Sequence, residues 1–83
     1  MIDRDIKVFI IKTLAAADGT PITRDTLKGI TITQFQHATL THGDLNGYID
    51  DVERQGFIAG TQDMILGPVY AITPKGKIKA QQI

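Results

Sequence analysis

At 83 residues the chain has room for one domain, and a core of that size hides only roughly 60–65% of the surface that the unfolded chain exposes. An apolar fraction of 42% and a charged fraction of 22% are those of a folded globular protein, which argues against disorder. The absence of cysteine excludes disulfides, thiolate metal sites and a cysteine nucleophile, and a net charge of zero removes the general pull towards phosphate that dominates nucleic-acid binding.

The charge is uneven along the chain. Residues 1–60 carry six Lys/Arg against eight Asp/Glu, whereas residues 61–83 carry three Lys against one Asp. The longest apolar run, Val8 to Ile11, is too short to cross a bilayer, and Met1 to Asp5 lacks the basic and long apolar segments of a signal peptide. A cytoplasmic protein without membrane contact is expected.

The first predicted element is a helix from about Asp3 to Ala17. Ile6, Phe9, Ile10, Leu14 and Ala17 recur at helical spacing, and Val8 and Ile11 widen that face. Asp3 and Asp5 suit its N-terminus, and Asp18-Gly19 ends it. A helix this broadly apolar is either deeply embedded or shared with a second subunit, so Val8 and Ile11 are candidate interface residues.

Thr20-Pro21-Ile22 reads as a short extended segment, and Thr23 as the N-cap of a brief helix through Leu27 that stops near Gly29. Residues 30–40 read both ways. Ile30 and Ile32 alternate with threonines like a strand, while Ile32, Phe35 and Leu40 suit a helix; a short helix with an irregular start is expected.

The signal sharpens after Thr41, where Thr41 and Asp44 have the spacing of a capping box. Leu45, Ile49 and Val52, with Tyr48 beside them, form the apolar stripe of a helix reaching Gln55. Gly56 stops it, with Phe57 folding back onto Val52. Phe57 to Thr61 and Val69 to Thr73 then read as two strands around a turn, and Thr73 caps a last helix with Pro74 at its first position.

The order is helix, short strand, helix, helix, hairpin, short helix. That order and two stretches, Tyr48-Ile49-Asp50-Asp51-Val52-Glu53-Arg54-Gln55-Gly56-Phe57-Ile58 and Tyr70-Ala71-Ile72-Thr73-Pro74-Lys75-Gly76, resemble the winged helix-turn-helix superfamily of bacterial and phage regulators. The resemblance implies an α+β fold: residues 1–83 as one winged-helix domain, with a three-helix core, a two- to three-stranded antiparallel hairpin wing and a short C-terminal helix. It also implies a transcriptional regulator that lays residues 42–55 in the major groove of double-stranded DNA, and the broad apolar face of the first helix would make it a homodimer.

The residues answer that expectation unevenly. The outward positions of the third helix are His42, Gly43, Asp44, Asn46, Gly47, Asp50, Asp51 and Arg54. Asn46 suits an adenine edge and His42 a phosphate, but Asp50 and Asp51 repel phosphates. Arg24, Lys28 and Arg54, with Lys75 and Lys79 on one face of the last helix, complete the candidate DNA contacts. Gly43 and Gly47, four apart, either admit a close backbone neighbour or are merely tolerated. Met64, Ile65 and Leu66 stand at the hairpin tip, where a DNA-contacting wing carries Arg or Lys; they either fold back onto the core or meet a partner.

Catalysis has little support. There is one glutamate, and His37 and His42 are five apart with no ligand set around them. Asp50 and Asp51 point about 100° apart on a helix, and no phosphate loop or nucleotide fingerprint is present. No enzyme activity, cofactor, metal or small-molecule substrate is expected. Two readings remain: a small DNA-binding regulator, and a winged-helix module for protein contact or dimerisation that lacks DNA binding.

Overall fold

The computed structural model describes residues 2–83. Helix α1 (Ile2–Ala16) leads through a two-residue strand β1 (Ile22–Thr23) to helices α2 (Arg24–Gln34) and α3 (His42–Arg54). Strands β2 (Ile58–Asp63) and β3 (Gly67–Ile72) follow, and then helix α4 (Pro74–Gln82). Among the described residues the fold is therefore α+β, with four helices and a three-stranded antiparallel sheet ordered β1-β3-β2.

The four-residue recurrence of Ile6, Ile10 and Leu14 puts one face of α1 in the core, where all three are fully buried. The helix packs on α2, α3, α4 and β3. Most of its wide apolar face is thus packed within the domain, while Val8 and Ile11 border an open groove towards α4. Ile11, expected as an interface residue, is 3% exposed and joins the core, while Val8 is half-buried. Phe9 meets Phe35 edge-on, with ring centroids 5.6 Å apart and planes at 87°.

Residues 24–40 depart from the sequence reading. In place of a helix stopping near Gly29 and another within 30–40, α2 runs unbroken through Gly29 to Gln34, and turns follow. Two threonines that read as strand-like explain this. Thr31 Oγ1 donates to the Leu27 carbonyl at 2.8 Å and Thr33 Oγ1 to the Gly29 carbonyl at 3.0 Å, so both hydroxyls are satisfied inside the helix. Thr31 is buried beside Leu27, and tertiary packing outweighs the weak local propensity.

The end of α3 is built as its residues predict. Thr41 and Asp44 make both bonds of the capping box. At the other end Gly56 has φ +86°, and the Phe57 amide donates to the Val52 carbonyl at 3.3 Å, closing a Schellman turn. This aims the chain into β2. The hairpin is longer than expected: pairing runs from Ile58↔Ile72 to Asp63↔Gly67 and leaves only residues 64–66 in the loop. Gly76, the first-turn glycine of α4, sits against the Phe57 carbonyl, where an added Cβ would stand 2.0 Å from that oxygen. The helix can approach the hairpin base only because this residue lacks a side chain.

Candidate interaction surfaces

Because β1 pairs with β3, Ile22 opposite Tyr70, the first residue of α2 lies beside the Tyr70 side chain. There Arg24 becomes a hub. Its Nε donates to Tyr70 Oη at 2.9 Å, Nη1 to Asn46 Oδ1 at 3.2 Å, and Nη2 to Asp50 Oδ1 at 2.7 Å. The guanidinium also lies over the Tyr70 ring, 5.3 Å from its centroid. Burial opposes the charge, but the bonds from Tyr70 and Asp50 outweigh it and raise the Arg24 pKa. Two expected DNA contacts, Arg24 and Asn46, are thus bonded to each other and tie α2 to α3 and β3. Asn46 and Asp50, one turn apart, signal a shared face in the sequence; nothing there names Arg24 or Tyr70 as their partners.

The acidic pair on α3 points to two sides, as adjacent helical residues must. Asp50 meets Arg24, while Asp51 accepts from Lys7 on α1 and lies 3.6 Å from Arg54. The Lys7 ammonium holds the Asp51 carboxyl below its ordinary range, with Arg54 assisting. Tyr48 donates to Asp3 Oδ1 at 2.6 Å, and its pKa is pushed up to about 12, mainly by that bond. His42, Gly43, Asp44, Gly47 and Arg54 remain exposed. A Cβ on Gly47 would meet nothing within 4 Å and one on Gly43 only the Thr41 hydroxyl at 3.7 Å, so no neighbour in the chain requires either glycine.

The expected cations do not join into a strip. Lys28 is only 9% exposed, with its stem packed away, and is corrected from a surface contact to a largely buried residue. Lys75 Nζ donates to the Gln55 carbonyl at the end of α3 at 2.8 Å and lies 5.0 Å from the Phe57 ring centroid. Lys79 stands 5.9 Å from the same ring, and Lys77 pairs with Asp18 at 3.2 Å. These lysines complement a helix end and an aromatic face of their own chain.

The hairpin tip contrasts with all of this. Met64, Ile65 and Leu66 are 101%, 91% and 63% exposed, so they do not fold back onto the core. Asp63 fixes their backbone: its Oδ1 accepts from the Ile65 amide at 2.8 Å and the Leu66 amide at 2.9 Å, and these bonds lower its pKa. Further down, the sole glutamate, Glu53, accepts from the Gly60 amide at 3.0 Å on edge strand β2. That contact occupies a donor that would otherwise invite another strand. Sequence reasoning gave Glu53 no role.

A second open surface lies between α1, the end of α3 and α4. It is a groove of about 420 Å³ with Val8, Ile11 and Phe57 as apolar lining and Arg4, Lys7 and Lys79 as cations. Among the described residues no helix is long and apolar enough to cross a membrane. No protein-family model matches the chain, and neither does any curated protein or solved structure.

Proposed function

We propose that this chain is a winged-helix domain that works by protein contact through its wing, without catalysis and without reading DNA. The element order supports the fold assignment: three helices, a β2–β3 hairpin as the wing and a following short helix, with α3 in the recognition position. The observation that carries the function is the wing tip. Three consecutive large apolar side chains stand in solvent on a turn held rigid by Asp63, whereas soluble surfaces ordinarily avoid such a run. The α3 side offers the reverse. Apart from the exposed His42, its polar groups are either acidic or already bonded within the chain, which makes it a poor partner for phosphate.

A second reading, DNA binding, has one observation in its favour. Gln36, His37, Thr39 and His42, in the turn before α3 and at its start, are exposed and pair with no carboxylate among the described residues. The two readings separate by substitution. Self-association of the purified protein, or capture of a partner from cells that express it, is expected to be lost on Ile65→Asp and kept on His42→Ala. Complexes unchanged by Ile65→Asp would overturn the wing-contact reading.

A further inference from the structure

Resting on the wing-contact reading, we propose that the wing tip of one copy docks in the α1–α4 groove of a second copy. The tip finds no room in its own chain: the cavity that Leu66 and Pro68 border with Thr23, Arg24 and Asp25 holds about 70 Å³. That is the share of about two waters and cannot take Ile65 as well. The groove beside α1 holds about 420 Å³ and lies in the range of ligand-binding clefts, with room for the Ile65 and Leu66 side chains together.

The two surfaces also match in chemistry. Val8, Ile11 and Phe57 give the groove an apolar lining, and the tip supplies aliphatic side chains to cover it. Arg4 and Lys79 make the rim cationic, Lys7 being paired with Asp51, and its one side-chain carboxylate, Asp3, accepts from the Tyr48 hydroxyl. Arg4 forms no ion pair among the described residues. The chain from Gln55 to Pro74, which includes the whole wing, carries Asp63 and no Lys or Arg. An acidic, apolar knob therefore faces a basic, apolar groove, and like-charge repulsion falls on neither side. Each copy holds one knob and one groove. Reciprocal insertion closes a dimer, and insertion in one direction alone builds chains.

Sedimentation of the purified protein tests this with two variants. Ile65→Asp places a charge in the knob; Arg4→Glu with Lys79→Glu reverses the rim at positions outside the core. Concentration-dependent association of the unaltered protein is expected, weakened about 100-fold by Ile65→Asp and about 10-fold by the rim reversal. The decisive arm is the mixture: the knob variant keeps an intact groove and the rim variant an intact knob, so together they keep one undamaged knob-in-groove contact, which neither has alone, and form a one-to-one pair tighter than the knob variant's self-association. Association lost on Ile65→Asp but untouched by the rim reversal would show tip-to-tip contact and overturn the proposal. So would a protein that stays monomeric to about 1 mM. In that case a partner captured from cells in an Ile65-dependent way would leave the wing-contact reading intact, while its absence would remove both.

Discussion

The two ends of the same hairpin obey opposite rules. At the base, Thr73 Oγ1 donates to the Gly56 and Phe57 carbonyls at 2.7 and 2.9 Å, its amide donates to the Phe57 carbonyl at 3.2 Å, and Gly76 is buried between Phe57 and Ile72. At the tip, the most hydrophobic tripeptide of the hairpin stands in water. Residue polarity alone would place these two regions the other way round. The base is buried because small and hydroxyl-bearing residues let backbone pack on backbone while the Thr73 hydroxyl and amide find carbonyl partners. The tip is exposed because its turn is fixed by Asp63 and projects beyond the core.

Four substitutions sharpen this comparison, and the largest effect belongs to the base. Gly76→Ala forces a methyl group onto the Phe57 carbonyl, which as backbone cannot swing aside. Urea denaturation should show a loss of about 3 kcal/mol, a large share of the roughly 5–10 kcal/mol available to a domain of this size. Next comes the hub. Arg24→Met should cost about 1–2 kcal/mol in the same assay, because it strands the Tyr70 hydroxyl and removes the tie to Asn46 and Asp50. Gly47→Ala acts in the other direction and should stabilise by about 0.5–1 kcal/mol, since the site is open and helical. Gly47→Ala with unchanged stability would contradict the open, helical setting of that position. At the tip, Ile65→Asp should move the denaturation midpoint of the monomer by the equivalent of only about 0.5 kcal/mol or less while weakening association about 100-fold. A tip substitution that unfolded the domain would erase the distinction between the two ends.

The parts of the fold that are governed by local chemistry were legible in the residues. Thr41 with Asp44, Gly56 with Phe57, and Thr73 with Pro74 each specify a terminus through bonds within a few residues, and the elements they bound were read correctly. Residues 24–40 were not, because Thr31 and Thr33 satisfy their hydroxyls in a helix that only tertiary packing selects. The surfaces divided in the same way. Of the two alternatives for Met64 to Leu66, packing on the core or contact with a partner, their exposure excludes the first. Arg24, Lys28, Asn46 and Ile11 were drawn as surface residues; pairing of β1 with β3 and packing of α1 on every other helix turn them inward or onto each other. Contacts across 22 to 46 residues, such as Arg24 with Asn46 and Tyr70, leave no mark in a single sequence.

On the proposed reading the hairpin tip, and not α3, is the working surface of this domain. That reading is tested most directly by titrating a labelled mixed-sequence duplex with the protein at low ionic strength and following anisotropy as salt is raised. The account predicts no binding, because the cations near α3 are paired or carried by their own chain. Binding that weakens steeply with salt, persists in Ile65→Asp and is lost in His42→Ala would contradict it.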